Sequence, residues 1–432
     1  MAPMREDDVR TCLRVLAELA DAPGGDPDLE RVRAAVGVFT RRTRERERAA
    51  ARRRRAVADA EILATATATG APERREGVPA EAPREVVVSG TPLNGLRSCY
   101  VCKARFREVD GFYHRLCPPC AQEHHRHRNA RTDLTGRRAI VTGGRVKAGF
   151  ELVLKMLRDG ASVTALTRFP ADALRRFSEV ADRDDWWDRL TVTGMDLRDV
   201  PALVRWCDAL VGAGEPLDIL VNLAAQTLRH PPESYAALLA GEDLPALPAP
   251  APPVPTGSGE VDVAGLLPDP SPVNSWTRLV HEVDPVELIE VQLINVSAPF
   301  LLLGRLRPLL EASQHPRRYV VNVSAVEGQF DRVYKGAEHP HTNMAKAALN
   351  MLTRTTASEL AKSGVYVTSV DPGWFTDQQP EPDRERRAAA GFRPPLDVVD
   401  AAARVYDPIV RGERDGDPPH GCLLKDYRVV SW

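Results

Sequence analysis

Short apolar runs alternate with helix-like stretches over the last two thirds of the chain. Strands that are apolar throughout and alternate with helices are typical of a parallel sheet covered on both faces. The sequence from Arg137 onward therefore predicts a doubly wound α/β sheet, with CLLKDYRVV as its last strand. The other predicted strands are AIVTG, SVTAL, LTVTGMD, LDILVN, RYVVNVS and VYVTSVDPG, and the helix-like stretches include 150–158, 201–210 and 287–310.

The N-terminal region has a different, helical period. Apolar residues recur at three- and four-residue spacing in two stretches separated by APGG, which predicts two helices within residues 1–70. The first set is Val9, Cys12, Leu13, Leu16 and Leu19, and the second is Leu29, Val32, Val36 and Phe39. Residues 71–97 are predicted to be a linker, in which Val86–Val88 could form a short strand.

One part of this helical arm is strongly basic. Arg41–Arg55 contains nine arginines and two glutamates. Such a stretch can bind nucleic acid or an acidic partner, or it can be a solvated helix rich in good helix formers. No aromatic residue is interleaved with the arginines, and the rest of the chain offsets their charge, so the solvated helix is favoured.

Composition and charge narrow the function classes. The chain has 432 residues, 43% of them hydrophobic and 27% charged, with a formal net charge of −2. Nucleic acid and anionic membranes are therefore not implied as partners of the whole protein. No uninterrupted apolar run reaches the roughly 18 residues of a membrane span, and the acidic N-terminus is unlike a secretory signal. We expect a cytoplasmic protein, with a proline-rich insertion at 241–275 inside the sheet domain.

Four of the seven cysteines form two CxxC pairs. Two thiolates on each of two tight turns can surround one ion in a tetrahedron, which suits a structural Zn²⁺ with no open coordination position. A redox pair and an iron–sulfur cluster are the alternatives, and DNA binding by the knuckle is disfavoured. Residues 98–132 are thus predicted to be a zinc knuckle, and residues 133–432 the sheet domain. The predicted ligands are Cys99, Cys102, Cys117 and Cys120.

A glycine-rich turn follows the first strand of the sheet domain. Its sequence is TGGRVKAG, running from Thr142 through Gly143, Arg145 and Lys147 to Gly149. A turn of this kind between strand and helix brings backbone N–H groups to a pyrophosphate. Arg168 ends the second strand where an NAD-binding protein has a carboxylate, which favours the 2′-phosphate of NADP over NAD.

With these motifs the chain resembles the short-chain dehydrogenase/reductase family from about Gly136 to its end. The resemblance implies a Rossmann-type domain, a small-molecule substrate, NADP(H) as cofactor and assembly into a dimer or tetramer. It also implies cofactor contacts at the positions of the family's motifs. These are the TGxxxGxG loop, Asp196-Leu197, Asn222 and Ala224 of the NNAG-like motif, Lys346, and Pro372-Gly373.

The family's catalytic set is only partly present. Asn295 and Lys346 match its asparagine and lysine, but Thr342 stands at the tyrosine position and Ala325 at the serine position, with Ser324 one residue earlier. An aliphatic hydroxyl is too weak an acid to replace a phenol of pKa near 10. We therefore predict a different proton donor, with Tyr334 favoured over Glu327, His339 and His341.

Two functions from different classes follow. The first is an atypical NADP-dependent oxidoreductase that transfers hydride to or from a carbonyl, imine or polarised alkene. The second is a catalytically inert nucleotide-binding fold that serves as a scaffold. The retained cofactor motifs favour the first and the missing catalytic tyrosine and serine favour the second. The insertion could be a substrate lid, a partner-binding loop or a passive surface element.

Overall fold

The computed structural model describes residues 5–21, 25–81, 92–242, 261–332 and 335–432. The described chain divides into two compact units, one of residues 1–62 with 93–95 and one of residues 63–92 with 96–432. The first unit contains α1 (Glu6–Asp21) and most of α2 (Pro27–Ala66), in agreement with the two predicted helices. The strand suggested at Val86–Val88 lies outside the described residues.

The second unit begins with the small cysteine-rich module. It is built from the antiparallel pair β1 (Arg97–Ser98) and β2 (Arg105–Phe106), followed by α3 (Pro118–Arg128). Phe106, Phe112 and Tyr113 are buried in its core, together with Leu116 and Leu396. Residues 71–81, from the predicted linker, pack on the sheet domain, since Arg74 donates to the carbonyl of Pro394 at 2.7 Å.

A mostly parallel sheet forms the centre of the unit, as predicted, and it has eight strands. Its strand order is β10-β9-β8-β7-β6-β3-β4-β5, and every neighbouring pair is parallel except β9–β10. The strands are β3 (Arg138–Thr142), β4 (Ser162–Thr167), β5 (Leu190–Gly194), β6 (Ile219–Asn222), β7 (Arg318–Val323), β8 (Val365–Asp371), β9 (Leu423–Lys425) and β10 (Arg428–Val430).

Helices cover both faces of this sheet. One apolar core joins α4 and α12 to the strands, with Leu152, Met156 and Tyr406 buried, and the other joins α6, α9 and α10, with Leu203, Leu306 and Ala357 buried. The helices are α4 (Lys147–Arg158), α5 (Pro170–Ser178), α6 (Val200–Ala213), α7 (Ala236–Ala240), α8 (Pro285–Gln292), α9 (Ala298–Ala312), α10 (Pro340–Leu360), α11 (Glu381–Ala389) and α12 (Val398–Asp415).

The predicted single last strand is wrong, because CLLKDYRVV folds into the hairpin β9–β10 instead. Asp426 and Tyr427 form its two-residue turn with φ of 46° and 66°. Two consecutive positive φ values give the tight turn whose twist matches paired strands. Asp-Tyr lacks the Asn-Gly or Asp-Gly signal of such turns, and its residues are held by tertiary contacts, including an Arg404–Asp426 ion pair of 3.1 Å.

One long apolar helical stretch could be a membrane span or a core helix, and its packing in the fold distinguishes the two. The continuous helical stretch Pro285–Ala312 reaches a mean hydropathy of 1.6 and is long enough to cross a membrane by length and composition. Polar residues interrupt its apolar ones, so no long uninterrupted apolar run marks it in the sequence. In the fold, its residues Leu302, Leu306 and Leu310 are buried in the second core. The core helix of a folded domain passes the same test.

Candidate functional site

The sheet changes winding direction between β3 and β6, and ligands of open α/β sheets bind at the carboxyl ends of such strands. Thr142 ends β3 opposite Asn222, which ends β6. The Thr142 hydroxyl accepts hydrogen bonds from the backbone N–H groups of Leu223 and Ala224, both at 3.0 Å. This hydroxyl therefore fixes the turn after β6 against the glycine-rich turn after β3.

The glycine-rich turn is too tight for side chains at two of its glycines. Gly143 has a φ of 75°, and a Cβ there would lie 2.9 Å from the Ala224 Cα. A Cβ on Gly149 would lie 2.1 Å from the Gly143 carbonyl oxygen. Lys147 has a φ of 54°, a left-handed conformation that the family pattern meets with glycine. This turn has the form of a phosphate cradle that leads into α4.

The two predicted cofactor arginines have different surroundings. Arg145 is buried, donates to the carbonyl of Ala264 at 2.8 Å and pairs at 2.5 Å with Asp172, a carboxylate that it shares with two other arginines. Arg168 lies over the rings of Phe169 and Tyr235, with distances of 5.4 and 5.0 Å to their centroids. Within the described part of the chain, no carboxylate oxygen lies within 4.0 Å of the Arg168 guanidinium.

The predicted adenine contact lies after β5. The Asp196 carboxylate receives several hydrogen bonds from Arg198, the shortest 2.6 Å. Leu197 is buried in the core beside Leu166. Leu197 is thus a fixed apolar residue, and the Asp196 charge is neutralised by its neighbour.

Asparagines organise the carboxyl edge of the sheet. The Asn222 amide donates to Asn322 at 2.8 Å, while its own buried oxygen has no partner among the described residues. Asn295 is buried within the π-helical turn Leu293–Ser297 that joins α8 to α9. Its amide oxygen accepts from the backbone N–H of Gln226 at 2.8 Å, and π-turns inside α-helices are frequent at functional sites.

Lys346 is the buried cation of the site. Its Nζ donates to the carbonyl of Val323 at 2.7 Å, and burial lowers its pKa to about 8. Ser324 and Thr342 are each 2% exposed, and neither side-chain hydroxyl has a hydrogen-bond partner among the described residues. Buried polar atoms of this kind are rare in folded proteins and are typical of sites that a ligand or water completes.

The candidate proton donors are not alike. Tyr334 lies outside the described residues. His339 stacks on Trp276 with 3.9 Å between the ring centroids, and its Nδ1 donates to the Trp276 carbonyl at 2.8 Å, so both contacts hold the ring in place. The charge of Glu327 acts on Lys346 and opposes the effect of burial on the lysine pKa.

His341 has a setting that sequence reasoning did not anticipate. It is buried in the first turn of α10, with Nε2 at 3.3 Å from the buried Glu287 carboxylate. Burial by itself would raise the pKa of Glu287, but His341, Ser275 and the Arg278 cation outweigh it and lower that pKa. Glu287 is remote in sequence and carries no motif, so only the packing of α8 on α10 reveals the pair.

The loop after β8 contains the predicted Pro372-Gly373 contact. Gly373 has a φ of 80°, and its N–H donates to the Asp371 carboxylate at 2.8 Å. A Cβ on Gly373 would lie 2.6 Å from Leu396, so glycine is required both by the backbone angle and by the packing. Asp371 is the last residue of β8, and its negative charge raises the pKa of Lys346, against the larger effect of burial.

The four predicted metal ligands converge in the cysteine-rich module. Their sulfur atoms all lie within 4.8 Å of one another, and the Cys102–Cys117 sulfur distance is 3.6 Å. Four ligands at about 2.3 Å from a tetrahedral Zn²⁺ would be separated by about 3.8 Å, so the arrangement fits that ion. A disulfide, with sulfurs about 2.05 Å apart, does not describe this geometry.

Comparison with known proteins gives consistent matches. A family model described as enoyl-(acyl carrier protein) reductase matches residues 268–392. An uncharacterized protein of Acanthamoeba polyphaga mimivirus is 33% identical over 338 residues, covering 73% of this chain and 71% of that protein. The rhamnolipids biosynthesis 3-oxoacyl-(acyl carrier protein) reductase of Pseudomonas aeruginosa is 26% identical over 248 residues, covering 56% of this chain and 74% of that one.

Solved structures also match part of the chain. The Pseudomonas aeruginosa RhlG/NADP active-site complex is 21% identical with a TM-score of 0.47, covering 68% of this chain and 95% of that chain. The NADPH-bound carbonyl reductase from chicken fatty liver is 18% identical with a TM-score of 0.47, covering 69% of this chain and 100% of that chain.

Proposed function

The chain belongs to the short-chain dehydrogenase/reductase family, whose members are oxidoreductases, and from this premise we propose that it is an NADP(H)-dependent enzyme. Its substrate would be a small molecule with a carbonyl, imine or polarised alkene. The observation that carries the proposal is the buried group of Asn295, Lys346, Ser324 and Thr342, in which two hydroxyls have no partner among the described residues. Such a group is costly to bury unless a polar ligand completes it.

The cofactor elements fit NADP(H). When bound, NADP(H) supplies or accepts the hydride. The glycine-rich turn leads into α4, whose N-terminal backbone N–H groups can bind a pyrophosphate, and Arg168 offers a cation to the 2′-phosphate. Lys346 has three N–H donors, of which the Val323 carbonyl takes one, so the others can hold ribose hydroxyls.

The proton has to come from a group other than the family's tyrosine. Thr342 can orient a substrate or a water molecule but is too weak an acid to donate the proton itself. Tyr334 remains our predicted donor. His341 is the second candidate, because the Glu287 carboxylate lies 3.3 Å from its Nε2 and can orient the ring, and neither ring nitrogen meets the hydrogen-bond geometry with another described residue.

We also propose that the four cysteines bind one structural Zn²⁺. The separation of the sulfurs supports this assignment, since they can reach a common centre without forming a disulfide. All four positions of a tetrahedral ion would be occupied by thiolates. The ion would therefore stabilise the module and would not activate water or substrate.

A cofactor oxidation assay tests the enzymatic proposal. The zinc-containing protein is mixed with NADPH and a panel of ketones, aldehydes, imines and enones, and loss of absorbance at the nicotinamide band is followed. We expect oxidation with at least one class and none in Lys346→Met, whose side chain has similar length but no donor. A surface lysine variant, Lys362→Met, is the matched control and should retain the rate.

A scaffold function is the second candidate, favoured by Thr342 and Ala325 at the positions of the family's catalytic hydroxyls. It predicts tight NADPH binding without turnover on any member of the panel. That result in the unmodified protein would replace the enzymatic proposal, whereas absence of NADPH binding would contradict both.

A further inference from the structure

The cysteine-rich module lies directly against the loop that follows β8. Tyr100 is located between Cys99 and Cys102, and its hydroxyl oxygen accepts a hydrogen bond of 3.0 Å from the backbone N–H of Trp374. Trp374 immediately follows Gly373, the residue that the family's motif places at the cofactor. One phenol thus joins the first cysteine pair to the proposed cofactor loop.

Apolar packing reinforces this contact. Leu396 is fully buried in the core of the module together with Phe106 and Tyr113, and Phe375 packs against the same cluster. Leu396 also lies under Gly373, where an added Cβ would be 2.6 Å from its Cδ1. The loop of residues 371–375 therefore rests on a surface to which the module contributes.

A buried ionic network fixes the second half of the module. The Tyr113 hydroxyl donates to Asp400 at 2.6 Å, and Arg128 at the end of α3 pairs with Asp400 at 3.1 Å. Arg128 also donates to Asp397, the N-cap of α12, at 2.8 Å. Because Leu396 directly precedes this cap, the position of α3 and the position of the loop are linked through the start of α12.

The module has little structure of its own to hold these contacts. It consists of two strands of two residues each and one helix of 11 residues. Elements this small are not stable by themselves, and four-cysteine sites usually fold around their ion. Loss of the metal would release the turn from Cys99 to Cys102, and with it the Tyr100 hydroxyl that fixes Trp374.

We propose that the four-cysteine site positions the loop of residues 371–375, so that metal binding and NADP(H) binding stabilise each other. Tyr100 is the positioning residue, since it contacts the loop and not the cofactor. The inference rests on the proposed function for its cofactor and zinc site. Because binding free energies are reciprocal, the factor by which zinc raises NADPH affinity must equal the factor by which NADPH raises zinc affinity.

The experiment measures both directions of this coupling on the full chain. NADPH is titrated calorimetrically into the zinc-loaded protein, the chelator-treated protein and zinc-loaded Tyr100→Phe. We expect the NADPH affinity to fall about 5–150-fold on metal removal, the usual range of coupling between two sites. Tyr100→Phe should lower it about 3–10-fold, the value of one hydrogen bond, while its zinc content stays at one equivalent.

The reciprocal measurement is the equilibrium partition of zinc between the protein and a chromogenic chelator. Saturating NADPH should shift the zinc toward the unmodified protein, and this protection should be much smaller in Tyr100→Phe. Tyr366→Phe is the matched control, since Tyr366 is on β8 and contacts His420 at 5.3 Å between ring centroids. It should behave like the unmodified protein in both measurements.

The outcomes separate this proposal from the proposed function. Equal NADPH affinity in the zinc-loaded protein and in Tyr100→Phe, with unchanged NADPH protection of the metal, overturns the coupling and leaves the oxidoreductase proposal intact. Absence of NADPH binding in the zinc-loaded protein overturns both. If the chelator-treated chain unfolds, Tyr100→Phe decides the question, since it keeps the ion and loses only the hydrogen bond.

Discussion

Among single residues, Lys147 shows how far this chain departs from its family's pattern. A lysine with a φ of 54° costs roughly 1 kcal/mol relative to glycine, which adopts that conformation without a steric penalty. Burial also lowers the pKa of Lys147, so its ammonium is poorly solvated. The strained backbone and the poorly solvated ammonium of Lys147 both cost free energy. Strain of this kind is typical of functional sites, and we expect the ammonium to bind an anionic ligand such as a phosphate.

Arg168 is expected to determine the choice between NADP and NAD. Its guanidinium lies over two rings and has no carboxylate within 4.0 Å among the described residues, so a 2′-phosphate can pair with it. Arg168→Ala should remove most of a preference of about 1–3 kcal/mol, measured by calorimetry with both cofactors. Arg175→Ala is the control, because that exposed arginine on α5 is already paired with Asp172 and Glu179. Equal affinities for both cofactors in the unmodified protein would contradict the assignment.

Two hydroxyl deletions locate the proton donor. Thr342→Val removes the buried hydroxyl while nearly keeping its shape, and should lower kcat at most about tenfold, the value of one modest hydrogen bond. Tyr334→Phe should lower kcat about a hundredfold or more, the usual scale for a general acid. The pH–rate profile should keep its limbs in Thr342→Val and lose one in Tyr334→Phe. If the two variants rank in the opposite order, Thr342 is essential and the donor is misplaced.

The lowered pKa of buried Lys346 should make the stability of the protein depend on pH. Its folded pKa of about 8 lies below the ordinary value of 10.5, so between these values the unfolded chain binds more protons. The free energy of unfolding contributed by this residue should therefore rise as the pH increases from about 8 to about 10.5. Urea unfolding of the cofactor-free protein at pH 7.5 and 10 should show this rise, on the order of 2–3 kcal/mol, and Lys346→Met should lack it. An identical pH dependence in the two proteins would disprove it.

At the scale of elements, the cysteine-rich module is the part whose stability depends on an ion. Cys117→Ser removes one of four ligands from a site whose sulfurs lie within 4.8 Å of one another. The variant should lose most of its zinc and unfold at lower temperature, as followed by metal analysis and thermal denaturation. Cys12→Ser is the control, since that thiol is exposed on α1 and far from the cluster in sequence. Iron with visible absorbance, or no metal at all in the unmodified protein, would refute a zinc site.

The whole molecule consists of a helical unit and a unit that contains every predicted site residue of the described chain. All nine arginines of Arg41–Arg55 are exposed on α2. A chain that begins at residue 57 should therefore bind NADPH with unchanged affinity, as measured by calorimetry. A nucleic-acid binding titration of the full chain and of this shortened chain distinguishes a nucleic-acid-binding arm from a solvated helix. A salt-dependent loss of binding on truncation would favour the nucleic-acid interpretation over a solvated helix.

The sequence by itself determined the parts of this protein that depend on local periodicity and on short motifs. Apolar runs alternating with helices predicted the parallel sheet and the order of its strands along the chain, because strands buried on both faces are rich in Val, Ile and Leu and do not alternate with polar residues as half-exposed strands do. The CxxC spacing predicted the convergence of Cys99, Cys102, Cys117 and Cys120, since each pair needs only one tight turn. TGGRVKAG predicted the close turn at Gly143 and Gly149, because a tight turn depends on only a few consecutive residues.

Only the tertiary structure decided contacts between residues that are distant in sequence. The Glu287 carboxylate lies beside the His341 ring, and the Tyr100 hydroxyl accepts a hydrogen bond from Trp374. Both contacts form because segments that are separated along the chain are brought together by the fold. The β9–β10 hairpin likewise depends on Arg404 to hold Asp426 in a turn without glycine. Neither periodicity nor spacing carries this information, because the free energy of such contacts depends on burial and orientation, which exist only once the core has packed.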